Sequence, residues 1–332
     1  MAPLTLGKGS DMTKILVTGA AGQIGSELVP ALRTEYGGDS VVAAGHRTPL
    51  PDDVRDGGPS ITLDVTVQAD VEAVVRDLGI EVIYHMGSIL SALAEANRQT
   101  AHAVNINGLY NVLEAALCAG VSQVNVPSSI AAFGPDTPAV DTPNETLQRP
   151  NTLYGISKVF GELLGNYYFE KLGLDVRGLR LPGIISWKTE PTAGTTDYAV
   201  AIFYGALRER GYECYLRPDT RLPMMYMSDC IKAVVDLAEA DLSDLTHHAD
   251  FNVAAISFTP EELAAAIQKR IPEFEIEYNI DPLRQGIADS WPDSLDDSAA
   301  RYEWGWSPAY DLDAMVDDML ENLSVKLGTE PV

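Results

Sequence analysis

Residues 14–25, Lys14-Ile15-Leu16-Val17-Thr18-Gly19-Ala20-Ala21-Gly22-Gln23-Ile24-Gly25, decide the fold of this chain. Lys14 to Thr18 reads as a short buried strand, and the glycines at 19, 22 and 25 lead into the helix-like Ser26-Glu27-Leu28-Val29. A strand, a glycine turn and a helix in that order turn a glycine motif into a dinucleotide-binding fingerprint. The glycines let backbone N–H groups approach a pyrophosphate at the helix N-terminus, where the helix dipole favours negative charge. The spacing is Gly-x-x-Gly-x-x-Gly rather than the more familiar Gly-x-Gly-x-x-Gly. A tight strand-to-helix turn without a ligand is the competing reading.

Working outward, strand and helix patterns alternate through the first half. Ser40 to Ala44 reads as a second strand, Ser60 to Val65 as a third and Glu81 to Met86 as a fourth. Gln123 to Pro127 reads as a fifth and Asp175 to Arg180 as a sixth. Val71, Val74, Val75 and Leu78 give residues 67–78 the spacing of an amphipathic helix, and Asn107 to Ala119 is another. The alternation predicts an α/β fold, a Rossmann-like doubly wound parallel sheet with helices on both faces. Past Pro182 it fails: loops surround Gly194-Thr195-Thr196, Met224 to Met227 looks strand-like, and residues 228–239 look helical. Thr259-Pro260-Glu261-Glu262 opens a further helix with a capping box. We therefore expect a dinucleotide-binding domain over 12–182 that also recruits about 220–256. A smaller C-terminal substrate lobe, from 183–219 and 257–326, should lie over the carboxyl ends of the strands, where open α/β sheets bind ligands. Residues 1–11 lack the apolar core of a signal peptide and read as a disordered extension.

Composition narrows the class of protein. A chain of 332 residues with 46% hydrophobic content buries a sizeable core. Its formal net charge of −25 repels phosphate backbones and anionic membrane surfaces, which argues against nucleic-acid partners. No apolar run is long enough to span a bilayer, so no membrane association is expected. Three widely separated cysteines, Cys118, Cys214 and Cys230, suit a reducing cytoplasm and argue against a metal site. His247-His248 reads as loop. Neither internal repeats nor low-complexity tracts stand out.

Tyr154-Gly155-Ile156-Ser157-Lys158 carries the chemistry. On a helix this spacing puts a phenol and an ammonium on one face, one turn apart. The lysine favours the phenolate electrostatically, which brings a group ionising near pH ~10 closer to working pH. A tyrosine so tuned takes a proton from an alcohol while hydride leaves the same carbon.

With fingerprint, tyrosine and lysine together, the chain resembles the extended short-chain dehydrogenase/reductases, the superfamily of the UDP-sugar 4-epimerases. Within it the chain is similar to the epimerase-like L-threonine 3-dehydrogenases. The similarity lies in Pro127 to Pro135, Gly194 to Tyr198, Leu222 to Met227, Ser290 to Ser298 and the Tyr154 motif. The resemblance implies oxidation of the L-threonine 3-hydroxyl to 2-amino-3-oxobutanoate with NAD. It makes Tyr154 the general base, with Lys158 binding the nicotinamide ribose and lowering its pKa. Ser129 is the hydroxyl that holds the substrate oxygen, with Ser128 capping the turn as its neighbour. Gly19, Gly22, Gln23, Ile24 and Gly25 would line the pyrophosphate, and Asp64 and Val65 would contact the adenine. Met86, Gly87, Ser88, Asn105 and Pro182 would complete the cofactor site. Ser91, Thr195, Thr196 and Trp291 fall where substrate is enclosed; Trp291 has two readings, site wall or plain core. Arg180 is open between a structural and a functional role.

One departure concerns the end of the second strand. NAD-preferring folds usually place Asp or Glu there, and this chain has Ala44-Gly45-His46-Arg47. Arg47 or His46 suits a 2′-phosphate, which leaves NADP use open beside NAD. Two rivals differ in class: a nucleotide-sugar epimerase or dehydratase with tightly bound NAD, and a non-catalytic dinucleotide-sensing regulator. The first needs basic contacts to a diphosphate, for which Arg217 is one of few candidates; the second typically lacks the tyrosine. The resemblance also implies a homodimer through a four-helix interface. Leu109, Val112, Leu113, Phe160, Leu163, Leu164, Tyr167 and Tyr168 exceed what one buried face needs.

Overall fold

The computed structural model describes residues 13–192 and 194–329, so the extension expected over 1–11 lies outside the described residues. Strand β1 (Ile15–Thr18) is buried throughout. Its alternate side chains feed two separate cores, Ile15 and Val17 on one face of the sheet and Leu16 on the other. That explains why the run is continuously apolar rather than alternating. β1 pairs in parallel with β2 (Val41–Gly45) and with β4 (Val82–His85). β3 (Ser60–Thr62), β5 (Gln123–Asn125) and β6 (Asp175–Arg177) complete a six-stranded parallel sheet in the order β3-β2-β1-β4-β5-β6. Helix α1 (Gly25–Tyr36) packs on one face through Leu28, Val29 and Leu32, and helix 109–119 packs on the other through Val112 and Leu113. The doubly wound expectation holds. Strand order reverses between β1 and β4, which opens a crevice at their carboxyl ends.

Three local expectations are corrected. The sixth strand breaks at Gly178: β6 ends at Arg177, and Leu179–Leu181 leaves to pair with Ser128–Ser129 and Phe251–Asn252. A Cβ at Gly178 would lie 2.5 Å from Ala249 O and 2.7 Å from Val126 O, so only glycine lets the chain cross there. The third strand stops at Thr62, because the Asp64 carboxylate accepts the Thr66 N–H at 3.0 Å and its hydroxyl at 2.7 Å, forming a turn. The helix expected from Asn107 is preceded by helical segments from Arg98, joined through a π-helical stretch at Ala103–Gly108.

Gly183–Ile185, Leu222–Tyr226 and Ile256–Phe258 form a three-stranded mixed sheet beside the main one. Leu222–Tyr226 serves two cores: Met224 and Tyr226 pack with Phe203, Leu263 and Met319, whereas Met225 packs with the α1 layer. Ala300 and Trp306 also join the α1 layer.

The apolar excess expected along residues 109–113 and 160–168 is smaller than the sequence suggests. Leu109, Val112, Leu113 and Tyr168 are buried within the protomer, at 4%, 0%, 0% and 2% exposure. Leu163 and Tyr167 are exposed, and Tyr110 and Ile156 join them.

Candidate active site

The glycine turn is built by contact. Gly19 has φ +68°, and a Cβ there would lie 2.6 Å from Gly87 N. A Cβ at Gly25 would lie 2.3 Å from Gly19 O, so the helix can seat itself on the turn only with glycine there. Gly22 is exposed beside them, with its N–H closing onto Gly19 O at 2.9 Å. The turn sits where two cavities meet. One, of about 1470 Å³, reaches Gly45, His46, Arg47, Asp64 and Val65 at the ends of β2 and β3. The other, of about 1040 Å³, holds Gln23, Ile24, Gly25, Tyr154, Lys158 and Pro182. Gly19, Gly22, Met86 and Ser88 line both, so the two form one long cleft across the strand ends.

A nicotinamide dinucleotide fits this cleft. The adenosine end would meet Asp64 and Val65, the pyrophosphate the N-terminus of α1, and the nicotinamide end Tyr154 and Lys158. Ser88 Oγ is buried, has no hydrogen-bond partner among the described residues, and lines both cavities. Such an atom is costly unless a bound group satisfies it. Asn105 is different from its neighbours in the sequence-based set. It is 7% exposed, its Oδ1 accepts the Ile89 N–H at 2.7 Å, and its Nδ2 donates to Ile89 O at 2.9 Å. It braces the loop after β4 instead of facing either large cavity. Gln23 Nε2 donates to Ile184 O at 3.2 Å, tying the glycine turn to the strand opposite.

The reactive group rests on the helix Leu153–Tyr167, which Thr152 caps by accepting the Gly155 N–H at 3.1 Å. Lys158 Nζ lies 5.3 Å from the centre of the Tyr154 ring and donates to Pro127 O at 2.7 Å. The two serines part company. Ser128 donates to Glu162, whereas Ser129 hydrogen-bonds with Tyr154, and both line the cleft. Ser129 also caps the turn by accepting the Ala131 N–H at 3.2 Å, the role expected of Ser128. Burial pushes the Tyr154 phenol up to about 12, and the Ser129 hydrogen bond opposes that rise. Burial pushes the Lys158 ammonium down to about 8, against the charge of Glu162. Desolvation therefore outweighs the lowering of the phenol that the sequence suggests. Oxidation needs the phenolate. We expect kcat/KM for alcohol oxidation to keep rising with pH toward about 12, where the phenol ionises, and Lys158→Met to move that limb to higher pH. A flat alkaline profile would remove Tyr154 as the base.

Above the phenol, Ser91, Thr195, Thr196 and Trp291 line the smaller cavity. Tyr215 OH donates to Gly194 O at 2.9 Å, and the Asp197 carboxylate accepts the Thr192 hydroxyl at 2.6 Å, which pins this loop. Trp291 is half-buried, lines the cleft and packs beside Tyr154, Ile130 and Phe133. Arg180 is structural, 3% exposed and paired with Glu162 at 2.9 Å beneath the site. Gly183, Ile184 and Asp197 line the cleft and were missed. The Pro182-Gly183 pair was the available signal, since a Cβ at Gly183 would lie 2.8 Å from Thr196. Among the described residues, no group of three or more His, Cys, Asp or Glu is placed to hold a metal, and no helix is long and apolar enough to cross a membrane. His247 lies in a loop as expected, yet distant carboxylates reach it, Glu303 at 2.5 Å and Glu145 at 3.6 Å.

A tyrosine–lysine pair on a Rossmann-like cleft defines a nicotinamide-dependent oxidoreductase of the epimerase type. The chain belongs to the NAD dependent epimerase/dehydratase family, whose profile matches residues 15–254. It is 47% identical to the mitochondrial L-threonine 3-dehydrogenase of Bos taurus, over 94% of this chain and 83% of the bovine protein. The L-threonine dehydrogenase structure from Clostridium difficile superposes with a TM-score of 0.93 at 50% identity, covering 96% of this chain and 99% of that one. A monomeric L-threonine 3-dehydrogenase from a metagenome, in its apo form, superposes with a TM-score of 0.89 at 43% identity, covering 94% and 99%.

Proposed function

We propose that this chain oxidises the 3-hydroxyl of L-threonine to 2-amino-3-oxobutanoate. The carrying observation is Tyr154 set beside Ser129 and Lys158 in a cleft that also fits the dinucleotide, within a chain about half identical to L-threonine dehydrogenases over nearly its whole length. Bound there, NAD would supply the hydride acceptor for the carbon that carries the hydroxyl. Tyr154, as phenolate, takes the hydroxyl proton. Ser129 hydrogen-bonds the same oxygen and holds it against the phenol. Lys158 stabilises the phenolate and binds the nicotinamide ribose. Ser91, Thr195, Thr196 and Trp291 enclose the amino acid under a lobe drawn from 183–219 and 257–326.

The nucleotide-sugar alternative finds no support in the basic residue it needed. Arg217 pairs with Asp289 at 2.8 Å and is absent from the cleft lining. Purified protein mixed with L-threonine and NAD should raise the reduced-nicotinamide absorbance, with no rise for UDP-glucose. Silence with threonine from folded protein would discard this reading.

We infer a homodimer built on helices 109–119 and 153–167. Tyr110, Ile156, Leu163 and Tyr167 are 45%, 49%, 64% and 52% exposed, a patch that a second copy would cover. The existence of a monomeric relative makes this a question for measurement. Sedimentation should give the dimer mass, and Leu163→Asp should shift it to monomer; a monomer at micromolar concentration before mutation would end the proposal. The three thiols, all free, suit a cytoplasmic setting.

A further inference from the structure

The adenosine end of the cleft has a charge pattern at odds with exclusive use of NAD. β2 ends at Gly45, followed by His46 and Arg47, where a carboxylate ordinarily binds the ribose hydroxyls and repels a 2′-phosphate. Gly45, His46, Arg47 and Thr48 all line the larger cavity. The space beside Gly45 is taken by Leu50, whose Cδ2 would lie 3.1 Å from a Cβ at that position.

Arg47 is exposed and makes no hydrogen bond or ion pair among the described residues. In a chain with 48 acidic and 23 basic residues, a guanidinium without a hydrogen-bonded or ion-pair partner is a distinctive local charge, although Asp64 lies near enough to feel it. Asp64 is the carboxylate among the described residues lining the same cavity, and it is already engaged. One oxygen accepts the N–H and hydroxyl of Thr66, and the other faces His46 Nε2 at 3.5 Å. His46 thus lies beside that acid on the cavity wall.

We propose that Arg47, with His46 and Thr48 beside it, forms a 2′-phosphate subsite, so that the chain accepts NADP as well as NAD. The proposal rests on the dinucleotide reading of the cleft. A phosphate monoester brings about −1.5 to −2 charges and three acceptor oxygens, which suits a free guanidinium and a hydroxyl.

Calorimetric titration of the whole protein with adenosine 2′,5′-bisphosphate and with 5′-AMP tests the subsite without any turnover. The bisphosphate should bind about tenfold or more tightly, the effect of one or two charge-assisted hydrogen bonds. Arg47→Ala should erase most of that advantage while leaving 5′-AMP within about twofold, since the residue is exposed and contributes no core packing. Added salt should shrink the advantage in the wild type. Equal or tighter binding of 5′-AMP overturns the proposal, as does an Arg47→Ala variant that weakens both ligands alike. Failure of threonine oxidation would leave these affinities unchanged, whereas no affinity for either nucleotide would overturn the cleft assignment and this inference with it.

Discussion

Tyr154→Phe should abolish L-threonine oxidation while leaving NAD binding close to wild type. The substitution keeps the ring, which packs with Ala131 and Trp291, and removes only the oxygen that takes the proton. Ser129 keeps the Ala131 N–H as a partner, so no buried polar group is stranded. The loss in kcat should be on the order of 10²–10⁴-fold, the range for removing a positioned general base. Quenching of protein fluorescence by NAD measures binding independently of turnover. Ser129→Ala should lose less, because the phenol remains and only the alignment of the substrate oxygen suffers. Turnover retained within about tenfold of wild type in Tyr154→Phe would show that the proton leaves by another route.

Much of this fold is legible in the sequence, and the reasons are local. Residues 14–25 are readable because each glycine answers to a steric demand, the positive φ of Gly19 and the close approach of Gly25 to Gly19 O. The centre of the parallel sheet is readable because β1, β2 and β4 are buried on both faces and read as nearly unbroken apolar runs. The break at Gly178 is hidden, since Leu179-Arg180-Leu181 is itself a buried strand and the pattern reads on past the glycine. Tyr154 and Lys158 stand out by their helical spacing only because the glycine fingerprint of residues 19–25 precedes them. Other features depend on partners far away in the chain. The balance that sets the Tyr154 phenol is one, because burial dominates it. Asn105 is another: its spacing gives no hint that both polar atoms are spent on Ile89. The exposed apolar residues Tyr110, Ile156, Leu163 and Tyr167 were only half legible, since an apolar helix residue looks the same in sequence whether its own sheet covers it or not.

Arg180→Met should cost about 3–5 kcal/mol of stability, the penalty for leaving a buried charge without its partner. Arg180 and Glu162 have side chains 3% and 2% exposed, and two parallel bonds of 3.0 and 2.9 Å join them. Arg180 also donates to Asn144 O at 2.7 Å and to Asn252 Oδ1 at 3.2 Å, so it joins three chain segments. Glu162 in turn receives Ser128 and the Gln148 amide, the latter at 2.6 Å. Removing Arg180 leaves that carboxylate desolvated, four residues along the helix from Lys158. Two consequences separate a stability effect from a catalytic one. Denaturant midpoints should fall sharply for Arg180→Met and recover in part for the double variant Arg180→Met/Glu162→Met, which removes the stranded charge. The pH–rate profile should respond to Glu162→Gln instead, because the Glu162 charge holds the Lys158 ammonium up against burial. With that charge gone the ammonium is lost at lower pH, and the electrostatic support it gives the phenolate disappears in a window just below about 8. Activity should then fall most in that window, since above it the ammonium is lost in both enzymes. A Glu162→Gln enzyme with an unchanged profile would confine the network to holding the fold, and an Arg180→Met change below about 1 kcal/mol would remove it from the stability account as well.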